Sequence, residues 1–280
     1  MTSPLPQIDH THTHWHAELQ LQFAARAGRT ALVARKHTGP LLVQRPFYPE
    51  GEVCHVYLVH PPGGVVGGDQ LHLNVQTEPG AHALITTPAA TKFYRSAMQR
   101  QAVVQQKLSL HQAALEWLPQ EAIYFDHATV RTTTRVDIDA QSRFIGWELA
   151  CYGRLACGEA FDHGQVHQSF ELWRDEQPVL LDRLRVDGGS AMQTAAWGLH
   201  GMTALGTLLA YPATAADVEA VRACELDVSQ ISCTLADGVL VCRCLCMDGA
   251  TLKQLLLKVW QCLRPRIMQR DAVLPRIWAT

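Results

Sequence analysis

His10, His12, His14 and His16 alternate near the start of this 280-residue chain. In an extended backbone that spacing turns all four imidazoles to one side, and imidazole is a ligand for nickel, copper and zinc. The same tract also reads as a polar terminus whose rings never converge. A second mixed set, Glu159, Asp162 and His163, falls within five residues. Oxygen and imidazole together can hand on a divalent ion, and a plain surface turn uses the same residue types. Asp137 and Asp139 share one strand face, where a carboxylate pair serves a site or a solvated edge equally.

The nine cysteines offer less. Cys-x-x-Cys is absent, and Cys242, Cys244 and Cys246 are spaced as strand neighbours, not as a zinc knuckle. Buried apolar thiols are the expectation, and a chain without disulfide-scaffold spacing suits a reducing cytoplasm.

The run His60-Pro61-Pro62-Gly63-Gly64-Val65-Val66-Gly67-Gly68-Asp69 invites comparison with phosphate-binding loops. A P-loop ends in Gly-Lys-Ser/Thr, whose lysine meets phosphate. Here the run ends in an aspartate that repels it, and a strand follows where a dinucleotide site needs a helix. The run therefore reads as a tight turn using glycine to reach positive φ, with Asp69 as a polar gate in the alternative reading, and the chain is expected to bind neither GTP nor ATP. Lys92 and Arg95 suggest an anion site, but pairing with Asp69, Glu116 or Glu121 is the favoured reading, since neither cation sits in a catalytic constellation. Neither Gly-x-Ser-x-Gly nor His-Glu-x-x-His occurs.

The elements that must position these residues are mostly strands. Leu71–Thr77 and Val166–Leu172 alternate apolar with polar, Thr129–Asp139 is rich in Thr and Val, and Val239–Cys246 alternates with its three cysteines on one face. Two helices stand apart in the C-terminal third. One is capped by Thr214 and runs to about Leu226. The other runs from Gly249 to about Leu263, with Leu252, Leu255, Leu256, Val259 and Leu263 as its apolar stripe and Pro265 just beyond its end. Strands followed by late helices predict a mainly β, single-domain chain over residues 1–280 with segregated helices.

Composition excludes several classes. A net charge of −2 argues against nucleic-acid binding and against attraction to anionic membranes. No uncharged apolar run approaches a membrane span, and the first residues lack a signal peptide's basic start and apolar core. A cytoplasmic protein is the expectation.

The stretch HPPGGVVGGDQLHLNVQTEPGAHALITTPAATKFYRS, residues 60–96, resembles the signature region of the UreD (UreH) family of urease accessory proteins. The resemblance continues through GPLLVQRPFYPEG, LEWLPQEAIYFDHA from Leu115, GRLACGEAFDHG from Gly153, the Gly198–Gly201 turn and the closing PRIWAT. It implies a helicoidal β-sheet architecture with a small helical portion and a non-enzymatic role in urease maturation. Its implied partners are the urease apoprotein, the helical accessory protein UreF and the GTPase UreG. No resident cofactor is implied, only nickel in transit. A conduit must release its ion, so isolated carboxylates suit it better than a closed His/Cys site; Asp69, Glu159 and Asp162 are the candidates. The alternatives are a β-rich metal-dependent hydrolase built from scattered histidines and carboxylates, or an assembly factor that never touches metal. Trp260 and Trp278, with the apolar tail around them, are candidate anchors for the helical partner; the same tail also completes a core if it folds back.

Overall fold

The structure, a computed structural model, describes residues 15–224 and 231–279. The first half of the chain supplies β1 (His16–Arg26), β2 (Arg29–Thr38), β3 (Leu42–Val43), β4 (Cys54–Val59), β5 (Gln70–Thr77), β6 (His82–Thr86), β7 (Thr91–Phe93), β8 (Ala102–Leu110) and β9 (Ala114–Leu118). Then follow β10 (Ala122–Tyr124), β11 (Thr129–Ile138), β12 (Arg143–Tyr152), β13 (Gln165–Arg174) and β14 (Gln177–Asp187). The last part alternates α1 (Ala191–Thr194), β15 (Ala204–Tyr211), α2 (Ala215–Arg222), β16 (Ile231–Ala236), β17 (Val239–Cys246) and α3 (Gly249–Ile267).

From β4 to β13 the chain winds as a helicoid. β5, β8, β11 and β13 run parallel in the first sheet, while β4, β6, β9 and β12 run parallel in the second. Parallel neighbours need a long crossover. Here each crossover is a strand of the opposite sheet, so residues 78–81 suffice to pass from β5 to β6. Antiparallel strands finish the first sheet at both edges, β2 against β1 and β14 against β13. β15, β17 and β16 extend the second sheet. The alternation read from Leu71–Thr77 and Val166–Leu172 thus resolves into inward and outward faces. Leu71, Leu73, Val75, Val166, Phe170 and Leu172 are buried between the sheets.

α3 lies on the outer face of the second sheet, where Leu252, Leu256, Val259 and Leu263 join Trp147, Leu208 and Leu240 in one core. Gly206 permits this approach, since a Cβ there would stand 2.7 Å from Leu256 and 2.9 Å from Leu252. Asp248 caps the helix by accepting a hydrogen bond from the Thr251 amide.

Three local expectations need correction. Pro265 lies inside α3, not beyond it: the buried side chains of Arg264 and Ile267 anchor the final turn against the protein, outweighing the amide that proline lacks. α2 stops at Arg222, short of Leu226, which lies outside the described residues; its Thr214–Asp217 capping box is present. The cysteines are not all free thiols. Cys233 and Cys242 sit directly opposite in the β16–β17 register and form a disulfide.

Candidate functional site

The glycine-rich run is the β4–β5 turn that its composition predicts, with positive φ at Gly63 and Gly68. Asp69 is 1% exposed, and it organises the turn. One carboxylate oxygen accepts the Trp15 amide at 2.8 Å and the other the Val66 amide at 2.9 Å. Lys92 and Arg95 form no ion pair among the described residues. Their expected partners are committed elsewhere, Asp69 to backbone amides and Glu116 to Arg264.

The turn borders a larger feature. Between the two sheets lies a cavity of about 600 Å³. The two loop blocks of the resemblance form part of its wall: His60 to Val65 from one, Thr87 to Phe93 from the other. His60 is half-buried, and neither of its ring nitrogens has a protein hydrogen-bond partner. Burial lowers its pKa, against the opposing charge of Asp69, so the imidazole is held neutral and able to coordinate.

Deeper in the cavity the inward phase of the strands turns polar. Gln106 on β8, Thr132 and Thr134 on β11, Glu148 on β12 and Gln168 on β13 occupy positions whose neighbours two residues away are mostly apolar. Thr134 Oγ1 stands 2.5 Å from Gln106 Oε1 and 2.5 Å from Glu148 Oε1. Its single proton serves one of these acceptors, and a neutral Glu148 supplies the second. Tyr152 donates its hydroxyl to Gln168. Burial, followed by the charge of Asp182, pushes the Glu148 carboxyl up to about 7, although the Thr134 hydrogen bond opposes the shift. Glu148 keeps some accessible surface despite its depth because that surface faces the cavity. Asp182 itself is held by Arg243 at 2.8 Å.

This polar layer escaped the sequence reading. Its signal is a Gln, Thr or Glu in the apolar phase of successive inward-facing strands, visible only once the strands are known to stack in register.

The sequence candidates fare unevenly. Asp69, Glu159 and Asp162 do not converge into a metal-sized group among the described residues. Glu159 pairs with Arg154 and accepts the Asp126 amide at 3.1 Å, and its pKa is lowered chiefly by Arg154. Asp162 is exposed. Asp137 pairs with Arg135, and Asp139 accepts the Gln112 and Gln141 amides at its turn, so both are structural. His10, His12 and His14 lie outside the described residues; His16 opens β1, exposed and 3.1 Å from Glu18.

The aromatic anchors also need correction. Trp260 is fully buried and donates its indole N–H to Glu116 at 2.7 Å. Position 260 is four residues after Leu256, so it belongs to the inward stripe and not beside it. Trp278 is half-buried, stacks on Trp147 at 5.7 Å and donates to Thr86 at 3.0 Å. The tail folds back onto the core because these aromatic rings find partners there. The exposed tryptophans, among the described residues, are Trp15 and Trp197.

Two mainly parallel sheets wound about an internal chamber that holds one polar layer, with α2 and α3 packed on one outer face, make this a helicoidal β protein with an internal compartment. The family model described as UreD urease accessory protein matches residues 16–279. Urease accessory protein UreD of Klebsiella pneumoniae is 45% identical over 266 residues, 94% of each chain. Its counterpart of the same name from Klebsiella aerogenes is 45% identical over 94% of this chain and 96% of its own, and that of Pseudomonas putida 43% over 94% and 93%. The chain belongs to the UreD family of urease accessory proteins, whose members are named as accessory proteins and not as enzymes.

Proposed function

We propose that this chain is a cytoplasmic maturation factor that bridges the accessory proteins UreF and UreG to apo-urease and gives nickel a sheltered route through its own interior. The observation carrying this reading is the chamber between the sheets, with one titratable carboxyl, Glu148, in an otherwise neutral polar layer. A route must hold an ion weakly. Amide and hydroxyl oxygens from Gln106, Thr132 and Gln168 replace part of a hydration shell, and a single carboxylate offsets part of the charge. His60 offers one nitrogen ligand near the loop blocks. These groups bind a hard-to-borderline divalent ion without closing a tight site around it. The reading moves the path from Asp69, Glu159 and Asp162, whose oxygens serve the turns or the surface, to the interior layer.

The test is co-expression with apo-urease and the other accessory proteins. Omitting this chain is expected to abolish urease activation. Glu148→Leu is expected to lower activation at least about tenfold, the scale of one lost charge-assisted contact, with the accessory complex still recovered intact. Full activation by Glu148→Leu together with His60→Ala would remove nickel from the chamber and leave a scaffold.

A further inference from the structure

The tripeptide Phe-Asp-His occurs twice, at Phe125-Asp126-His127 and Phe161-Asp162-His163. The separation equals the register offset of β11 and β13, where Thr129 pairs with Gln165. The two copies therefore sit on neighbouring rungs of the helicoid, each just before its strand. Backbone bonds lock them together: the His127 amide donates to the His163 carbonyl at 3.0 Å, and the Gln165 amide to the Ala128 carbonyl at 2.8 Å. Gly164 allows this closeness, since a Cβ there would stand 2.3 Å from the Ala128 carbonyl oxygen.

The result is a convergent set. The two imidazoles stack face to face, with centroids 4.5 Å apart and planes 2° from parallel. Asp126 reaches across both rungs. Its Oδ1 accepts the His163 amide at 2.7 Å, which fixes the carboxylate, while Oδ2 stands 3.4 Å from His127 Nε2 and 3.3 Å from His163 Nδ1. The Asp126 amide is in turn held by Glu159. Ligand atoms bound at about 2.0–2.2 Å to one ion stand about 3.0–3.4 Å apart. One Asp126 oxygen thus already keeps the separation from each nitrogen that a shared ion requires, and the two parallel rings must tilt toward each other for both in-plane lone pairs to meet that ion. One ligand atom from each of the three residues lies within 4.8 Å of the others, the only such group among the described residues.

We propose that Asp126, His127 and His163 form a surface site for a divalent late transition-metal ion, with water completing the coordination. Both imidazole side chains are more than half exposed, which leaves open positions for water or an incoming donor. Two imidazoles and one carboxylate select nickel, zinc or copper over magnesium or calcium. The site lies apart from the interior chamber, and it holds whether or not the chain serves urease.

The experiment uses the full chain with His10, His12, His14 and His16 changed to glutamine, so that the terminal tract contributes nothing. Calorimetric titration with nickel chloride is expected to show one site above the weaker binding of the chamber, and copper(II) spin resonance two nitrogen ligands. His163→Gln and His127→Asn are each expected to weaken nickel binding at least about tenfold, since even outer partners of metal ligands are worth 10–100-fold. Each is also expected to remove one nitrogen from the copper spectrum. Asparagine suits the positive φ at 127, and both side chains are exposed, so melting curves are expected to stay unchanged. Undetectable binding by the parent, or parent-like binding and spectra in both variants, overturns the site.

Discussion

Arg264→Met is expected to destabilise the protein by about 3–5 kcal/mol, the cost of breaking a buried ion pair from one side. Arg264 and Glu116 are both 0% exposed. The guanidinium meets Glu116 through Nε at 3.0 Å and Nη2 at 3.0 Å, meets Glu50 at 2.8 Å and donates to the Asp271 carbonyl. Glu116 also receives His82 at 2.9 Å and Trp260 at 2.7 Å. This network ties α3 to β6 and β9 and holds the returning tail. Burial alone would raise the Glu116 pKa, but His82 and Arg264 together draw it down to about 2. The sign follows from the lowered value. Stability from this carboxylate is fully present above about 4.5 and is lost as pH falls toward 2. Without Arg264 the carboxylate is poorly compensated, so the variant loses most at neutral pH and least in acid. A melting-temperature loss on the order of 10 °C is expected at pH 7.5. Glu116→Leu added to Arg264→Met is expected to recover much of it, because it removes the stranded charge. A double variant no better than the single one would show that the network acts through packing and not charge.

Glu148→Gln is expected to do the opposite: to stabilise the protein above neutrality. The folded carboxyl is raised from 4.5 to about 7. Below pH 4.5 both folded and unfolded chains carry the proton and the shift has no effect. Between 4.5 and 7 the unfolded chain releases its proton first, so stability falls as pH rises. Above 7 the full cost applies, at most about 3 kcal/mol from 1.36 kcal/mol per pH unit, with water in the chamber reducing it. Glutamine does not ionise and still hydrogen-bonds Thr134. The charged or titratable groups near Glu148 are Asp182, Tyr124 and Tyr152, and they are common to both proteins. Denaturant unfolding at several pH values checks this. A stability difference that stays constant from pH 5 to 8.5 would mean Glu148 is not the titrating group. The combination of higher stability and poorer urease activation in one variant would mark a group retained for function at a cost in stability.

Local patterning made much of the fold legible. Alternating Leu71–Thr77 and Val166–Leu172 had to lie half-buried in a sheet, because period-two hydrophobicity fits no helix. The Leu252-to-Leu263 stripe had to be a helix with one buried face, and Gly63 and Gly68 had to turn the chain before a strand. The helicoidal winding itself followed from the family resemblance of residues 60–96 and the later blocks, not from periodicity. Burial and convergence were decided by tertiary structure. Trp260 reads from sequence as an interface anchor or as core, and the carboxylate that accepts its N–H and decides for the core lies 144 positions earlier. Asp69 looked like a metal ligand until the amides of Trp15 and Val66 took both its oxygens. Gln106, Thr134 and Glu148 are unremarkable in their own strands. They meet because each coil lays one inward position above the next, and stacking register decides which polar groups share a chamber. The two Phe-Asp-His copies were visible as letters all along. Only the β11–β13 register, which makes their separation one full coil, brings His127 against His163.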